Sequence, residues 1–222
     1  MASNAKAEGY AHLPTDEPER DSAASESTRL ASEQDLRMLR LFNHYRHDWM
    51  NDIQVLMGYV QLKKYDKLPA MMEKIKDKVQ QESLISKLGI PSLILFLLNF
   101  QAEVKELQLD VRMNEEIRLH ELPGWEDVEE GIKRILAGFR KEAASSPYSD
   151  DNNLELVWTK LEHELRLDIR YTGVCQAERV RQLEQGLIRF WETQQTRIQS
   201  NYEEQEVLWS VQWTLTGTEL ER

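Results

Sequence analysis

Apolar side chains recur at helical spacing along the first third of the chain. With successive residues about 100° apart on a helical wheel, they form a stripe that stays within about 40° of Trp49. The stripe consists of Met38, Phe42, Tyr45, Trp49, Ile53, Leu56 and Val60. Ser32 can cap the helix at its start, and Asp35 places an acid in the first turn. The pattern predicts one long amphipathic helix that continues to about Lys64.

A second helical pattern follows a short interruption. Asp66 can cap the new helix, Pro69 fits its first turn, and Gly89 before Pro91 ends it. Its apolar positions are Met72, Ile75, Val79, Leu84 and Leu88. Two helices joined by a short turn predict an antiparallel hairpin. Because one hairpin alone leaves its aromatic stripe in water, we expect a homodimer in which two hairpins close a four-helix bundle.

The remainder of the chain mixes helical spacing with alternation. Helices are predicted at residues 92–103, 124–143 and 177–194, and strands near residues 107–113, 154–158, 165–171 and 209–215. A polar stretch at residues 145–153 predicts a loop. Helices packed on a mostly antiparallel sheet form an α+β layer. The predicted domains are therefore an acidic tail at residues 1–30, the helical hairpin at residues 31–89, and an α+β domain at residues 90–222.

Charge and composition narrow the class of protein. The 222 residues include 28 basic and 39 acidic side chains, a formal net charge of −11, which argues against a nucleic-acid partner. The single Cys175 fits a reducing compartment. No apolar run approaches the roughly 20 residues of a membrane span, and the N-terminus lacks an apolar signal segment. We expect a cytoplasmic protein without membrane association.

The charges are unevenly distributed along the chain. Residues 1–28 hold two basic and six acidic residues among many Ala and Ser, which predicts disorder. Residues 29–82 hold ten basic and eight acidic residues, whereas residues 83–222 hold 16 basic and 25 acidic residues. The hairpin is thus the least acidic part of the chain, which favours the approach of an acidic partner.

His47 lies on the polar face of the first helix, roughly 160° from Trp49. Asn51, Gln54 and Gly58 follow it on the same face, and residues 44–58 include no Lys or Glu at all. An ordinary solvated face would carry such long charged side chains. Their absence indicates that a partner docks here. An exposed imidazole with Asp48 beside it and Asn51 one turn away is equipped to accept and pass on a small charged group.

The residues around His47 resemble a known family. The segment begins Arg-His-Asp-Trp-Met-Asn-Asp-Ile-Gln at residues 46–54, and Gly, Leu and Lys-Tyr-Asp follow at matching intervals up to residue 66. This pattern is similar to the phosphoacceptor helix of the sporulation initiation phosphotransferase B family, which shares its hairpin type with sensor kinases. The resemblance implies that His47 is the phosphorylated residue. It also implies a four-helix dimer and a second domain like the ATP-binding domain of histidine kinases.

The α+β part departs from a working kinase at two positions. A kinase nucleotide site needs an asparagine-bearing helix for magnesium and glycine-rich loops around the phosphates. The predicted helix at residues 124–143 contains no asparagine, and the turn at residues 172–176 has one glycine and no acid. We therefore expect a kinase-like scaffold that has lost ATP binding, with no cofactor or metal bound by this chain.

The resemblance and these departures together predict a phosphorelay phosphotransferase. His47 would take a phosphoryl group from the aspartate of one response-regulator receiver domain and give it to a second, with catalysis by positioning and charge neutralisation. Magnesium and a lysine would come from the receiver. Asp48 would orient the imidazole or take its proton, and Asn51 would contact the phosphoryl group or the receiver. The residues expected to form the remaining docking surface are His44, Gln54 and Gly58.

Two other functions fit parts of the same pattern. A sensor-type histidine kinase would phosphorylate His47 from ATP and magnesium. A non-catalytic dimeric scaffold would bind a receiver domain without any phosphoryl transfer, and its binding would survive His47→Ala.

Overall fold

The computed structural model describes residues 19–122, 124–145, 152–161, 164–191, 196–203 and 205–214, with side chains from residue 33 onward. The chain divides into two compact units, Met1–Asn43 and His44–Arg222, and the division lies inside the first helix. The second unit contains most of the hairpin together with the whole α+β part. The boundary that the sequence predicts at residue 89 stays a prediction.

Five helices and five strands make up the described fold. The helices are α1 (Glu19–Gln61), α2 (Leu68–Ile85), α3 (Pro91–Glu103), α4 (Trp125–Ala144) and α5 (Ala177–Phe190). The strands are β1 (Gln108–Met113), β2 (Asn153–Lys160), β3 (Glu164–Thr172), β4 (Thr196–Tyr202) and β5 (Glu206–Thr214). Single 3₁₀ turns lie at Tyr65–Lys67 and Leu119–Glu121.

The first helix starts earlier than the sequence predicts. It begins at Glu19, so residues 19–30 of the predicted disordered tail are helical, and residues 1–18 lie outside the described part. The segment at residues 19–32 contains three Ala and neither Gly nor Pro, so its backbone tolerates a helix even though it has few apolar side chains to bury. The expectation of disorder over residues 19–30 was therefore wrong.

The turn of the hairpin differs in detail from the prediction. Helix α1 ends at Gln61, and Lys63 adopts a left-handed backbone conformation with φ of 57°. Asp66 lies within the 3₁₀ turn, so the N-cap of α2 is Lys67 and the predicted cap is wrong. Pro69 does occupy the first turn of α2. That helix ends at Ile85, before Gly89, which has a positive φ of 77°.

The sheet has the strand order β1-β2-β3-β5-β4. Strands β1 and β2 are parallel, and the other three pairs are antiparallel, as the sequence predicts for most of the sheet. Strand β4 was missed because its alternation is weak, with only Ile198 and Tyr202 as large apolar residues. Helix α5 also ends at Phe190, four residues before its predicted end.

One face of the sheet carries the core. Phe139 of α4 stacks on Tyr171 of β3 with ring centroids 5.0 Å apart, and Trp158 stacks on Trp213 at 6.0 Å. The hairpin is joined to this layer, because the side-chain oxygen of Gln81 in α2 accepts a hydrogen bond from the backbone N–H of Met113 in β1 (2.8 Å). Among the described helices, none combines the length and the apolar character needed to cross a bilayer.

Candidate functional site

His47 lies in the middle of α1 with an exposed side chain. Asn51 and Gln54 are also exposed, and Gly58 is half-buried. On a helix with about 100° between residues, all four fall within roughly 60° of one another, so they form one row along α1. The structure thus places His47 on one surface with Asn51 and with two of the three predicted docking residues, Gln54 and Gly58. The third, His44, is half-buried and lies near Asp48.

Asn51 is hydrogen-bonded to the imidazole of His47. Its amide nitrogen Nδ2 lies 3.1 Å from Nδ1 of His47. Because an amide nitrogen only donates, Nδ1 accepts in this arrangement, and the proton of the neutral ring is on Nε2. The bond fixes the direction of the ring and leaves Nε2 on its free side.

Asp48, the acid next to His47, has its carboxylate bonded elsewhere. Its Oδ2 accepts a hydrogen bond from Lys78 Nζ of α2 at 3.0 Å and lies 3.8 Å from Nε2 of His44. Lys78 also lies 3.8 Å from Asp52. The contacts of Asp48 are therefore with α2 and with His44, and its predicted action on the imidazole of His47 stays a prediction.

Lys78 is the residue that sequence analysis missed. Nothing in the local sequence distinguishes it from the neighbouring Lys74 and Lys76. Its role depends on the register of α2 against α1, which brings position 78 opposite positions 48 and 52. That register is set by the turn at Tyr65–Lys67, whose geometry the sequence did not yield.

The acidic character of this helix–helix contact is visible in two pKa shifts. Burial raises the pKa of Glu82 on α2, and the carboxylates of Asp48 and Asp52 raise it further, while Lys78 lowers it. Burial, followed by the charges of Glu82 and Asp48, raises the pKa of Tyr45 to about 12. Three carboxylates thus gather around one lysine at the level of His47.

Large apolar side chains of the hairpin remain exposed. Trp49 is 57% exposed in the single chain. The other exposed large apolar side chains of the hairpin in the second unit are those of Met50, Ile53, Val55, Met57, Val60, Leu62, Tyr65, Met72 and Val79. In the first unit, Phe42 of the predicted stripe is exposed as well. An apolar surface of this extent marks an interaction site.

The two other histidines in the described part of the chain, His44 and His120, have different settings. His44 is half-buried beside Tyr45, with ring centroids 5.9 Å apart, and lies near Asp48. His120 is in the 3₁₀ turn Leu119–Glu121. His12 and His163 lie outside the described residues. Within the described parts of the chain, no group of three or more His, Cys, Asp or Glu side chains is arranged to hold a metal ion.

The start of α5, which follows the turn at residues 172–176, is contacted by a carboxylate of α4. Glu142 of α4 is buried, its Oε1 accepts the backbone N–H of Gln176 at 2.7 Å, and its Oε2 lies 3.8 Å from Arg179. Helix N-termini attract anions, and here Glu142 already supplies one. A Cβ on Gly138 would lie 2.2 Å from Leu183, so α4 and α5 are in close contact.

Comparison with known proteins finds a family match over the hairpin. The model of the sensor kinase SpoOB-type α-helical domain matches residues 29–88. A curated relative, Sporulation initiation phosphotransferase B of Bacillus subtilis (strain 168), is 33% identical over 81 residues. That match covers 36% of this chain and 42% of the relative, so this chain is similar to less than half the length of that protein.

Solved structures with similar coordinates are more distant in sequence. The histidine kinase AdeS of Acinetobacter baumannii has a TM-score of 0.42 and 10% identity, covering 77% of this chain and 98% of that one. The histidine kinase ThkA in complex with the response regulator protein TrrA has a TM-score of 0.43 and 11% identity, covering 90% and 66%. The similarity to a named family lies in the hairpin: residues 29–88 are similar to the sensor kinase SpoOB-type α-helical domain.

Proposed function

We propose that this chain is a cytoplasmic phosphotransferase of a two-component phosphorelay, with His47 as the phosphoacceptor. The observation that carries the proposal is the exposed imidazole of His47, held by Asn51 on a helix of the matched family. The matched relative is a sporulation initiation phosphotransferase, so we assign the relay to sporulation initiation. The phosphoryl group moves from one receiver aspartate to His47 and then to a second receiver aspartate.

The transfer step needs one nucleophilic ring nitrogen. The lone pair of Nε2 attacks the phosphorus of the receiver's aspartyl phosphate, the N–P bond forms, and the P–O bond to the aspartate breaks. The aspartate leaves with the electron pair as a carboxylate. The reverse reaction on a second receiver completes the relay. In-line positioning and neutralisation of charge provide the catalysis, as in other phosphoryl transfers.

Asn51 prepares the ring for this step. For Nε2 to have a free lone pair, the proton of the neutral imidazole must be on Nδ1. A half-turn of the Asn51 amide puts its oxygen where Nδ2 lies now, 3.1 Å from Nδ1. The oxygen then accepts the Nδ1–H bond and selects the reactive tautomer. Asp48 remains in the proposal as the acid beside the phosphoacceptor, with its carboxylate held by Lys78.

The receiver docks along the row of His47, Gln54 and Gly58. A Cβ on Gly58 would meet no atom within 4 Å, so the surface is open at this position. Met50 and Met57 flank the row and are exposed, and flexible methionines suit a surface that must fit two different receivers. Magnesium and a lysine belong to the receiver's own site, and this chain supplies the imidazole.

Dimerisation accounts for the exposed apolar side chains that the receiver does not cover. Trp49, Ile53 and Val60 lie on the opposite side of α1 from His47, and all three are exposed in the single chain. Met72 and Val79 of α2 are exposed too. A second hairpin packed on these residues forms the four-helix bundle that the sequence predicts.

The proposed function requires no nucleotide in the α+β part. Glu142 bonds to the start of α5 with a negative charge where a phosphate would otherwise bind. Leu183 fills the space beside Gly138 between α4 and α5. These contacts support a kinase-like scaffold that does not use ATP, in contrast to the sensor-kinase alternative.

The decisive experiment incubates the protein with a receiver domain phosphorylated on its aspartate. We expect acid-labile, base-stable label on the chain, lost in His47→Gln and retained in the matched control His44→Gln one turn away. Loss of label in His44→Gln with retention in His47→Gln would contradict the assignment of the phosphoacceptor. Label acquired from ATP and magnesium alone would favour the sensor kinase. Receiver binding without any label, surviving in His47→Ala, would favour the scaffold.

A further inference from the structure

We propose that Lys78 of α2 is a positioning residue for phosphoryl transfer at His47, acting through Asp48. This inference rests on the proposed function. It adds a residue that sets the equilibrium of the phosphoryl group between His47 and the receiver's aspartate. Lys78 does this by neutralising the carboxylates that lie beside the phosphoacceptor.

The contacts of Lys78 connect the two helices at the level of His47. Its Nζ donates to Oδ2 of Asp48 at 3.0 Å and lies 3.8 Å from Oδ2 of Asp52, one helical turn further along α1. The side chains of Lys78, Asp48 and Asp52 are 36%, 32% and 24% exposed. Because these groups are partly shielded from water, their interactions are screened less than those of fully exposed ion pairs.

The charges around this lysine are mostly negative. From α1, Asp48 and Asp52 face it, together with the ring of His44, whose Nε2 is 3.8 Å from Asp48. From α2, Glu82 adds a third carboxyl group whose pKa is raised by burial and by the two aspartates. Lys78 contributes the positive charge that pairs with Asp48 and lies near Asp52, so its loss leaves these carboxylates without that compensation.

Phosphorylation of His47 brings more negative charge to the same place. A phosphoryl group carries roughly one and a half to two negative charges near neutral pH. Asp48 is the next residue along α1, so the new charge is added on the helical turn that already carries this carboxylate. With Lys78 present, its positive charge compensates the carboxylate of Asp48, and the phosphohistidine is less destabilised. Without Lys78, repulsion between the carboxylate and the phosphoryl group shifts the equilibrium back towards the receiver's aspartyl phosphate.

The measurement is the equilibrium ratio of phosphohistidine to receiver aspartyl phosphate, after transfer between the intact protein and a phosphorylated receiver. We expect Lys78→Met to lower this ratio on the order of tenfold at low salt, with a smaller effect at high salt. Lys78→Arg keeps the positive charge and is expected to restore most of the ratio. Asp52→Asn in the Lys78→Met background removes one uncompensated carboxylate and should recover part of it.

Lys76 provides the matched control. It is on the same helix and forms an exposed ion pair with Glu73 at 2.8 Å, and no contact joins it to the described side chains of α1. Lys76→Met should leave the ratio unchanged. If Lys78 only joined the helices, Lys78→Met would lower the unfolding midpoint without changing the ratio, because the ratio compares two states of the same folded protein.

The outcomes separate this inference from the proposed function. If the wild-type protein takes no label on His47, the proposed function fails. If the wild type takes label and folded Lys78→Met gives the same ratio as wild type and Lys76→Met, the inference fails while the relay stands. A lowered ratio that neither Lys78→Arg nor the Asp52→Asn combination recovers would also overturn it, since charge would then not be the cause.

Discussion

The side chains of His47 and Asn51 form a hydrogen-bonded pair one helical turn apart, with 3.1 Å between Nδ1 and the amide nitrogen. The pair is exposed, while the neighbouring Asp48 is bonded across the hairpin to Lys78. Asn51 and Asp48, which both lie near His47 along α1, therefore have different partners. Asn51 is bonded to the ring of His47, whereas Asp48 is bonded to Lys78 of α2.

Asn51→Leu should slow phosphoryl transfer about 10- to 100-fold, because the ring loses the bond that fixes its direction and tautomer. The free energy of unfolding should change little, since the side chain is exposed. The measurement is single-turnover transfer from a saturating phosphorylated receiver. Gln54→Leu, on the same face, is the control and should affect receiver affinity more than the saturated rate. Equal saturated rates for Asn51→Leu and wild type would exclude the orienting role.

The sequence predicted the exposure of His47 correctly because that prediction depends only on the helical period. The stripe around Trp49 fixes which way α1 faces, and position 47 then lies opposite. The contact between Lys78 and Asp48 could not be predicted in this way. It requires the register between two helices, which depends on a 3₁₀ turn and on the left-handed conformation of Lys63.

The α+β part shows the same division between local and non-local information. Alternation along β2 and β3 is strong because the core lies on one face, so both strands were predicted. Strand β4 is at the edge of the sheet and has little to bury, so its pattern is weak. The bond from Glu142 to the start of α5 joins residues 34 positions apart, and periodicity contains no signal for it.

Trp49→Ala should dissociate the dimer while leaving the single chain folded. Trp49 is 57% exposed in the single chain, so its truncation removes few contacts there. In the proposed bundle the ring is buried, and its loss then costs on the order of 3–5 kcal/mol of association. The measurement is molar mass against concentration. A wild-type mass that stays monomeric at every concentration would contradict the bundle.

Gly58 and Gly186 offer a paired test of the docking surface. Both are within helices, and a Cβ at either position meets nothing within 4 Å. Alanine at either should therefore stabilise the fold by about 0.5–1 kcal/mol, as alanine favours helices over glycine. A larger residue, as in Gly58→Gln, should weaken receiver binding, whereas Gly186→Gln should not. Unchanged receiver affinity in Gly58→Gln would remove this glycine from the docking surface.

Glu82 should make stability depend on pH in the mildly acidic range. Burial raises its pKa in the folded state, so the folded protein binds this proton more tightly than the unfolded chain does. The linked contribution to stability is present at low pH and is lost as pH rises through the raised pKa. Glu82→Gln should therefore raise the unfolding midpoint above that of wild type at neutral pH, and the difference should shrink towards acid. If the difference in unfolding midpoint between Glu82→Gln and wild type grew towards acid, the pKa of Glu82 would not be raised in the folded state.

Variants of Glu142 should show whether the α+β part is a kinase-like domain without nucleotide binding or one that still binds nucleotide. The buried carboxylate accepts the N–H of Gln176 and lies near Arg179, so Glu142→Ala should cost about 1–3 kcal/mol of stability by leaving both without this partner. Glu142→Gln keeps an acceptor and should cost less. Because the carboxylate already bonds to the start of α5, ATP with magnesium should not shift the unfolding midpoint of the wild type. A nucleotide site would survive in this domain if ATP with magnesium raised the unfolding midpoint of the wild type in a saturable way, and if blocking the start of α5 removed that rise.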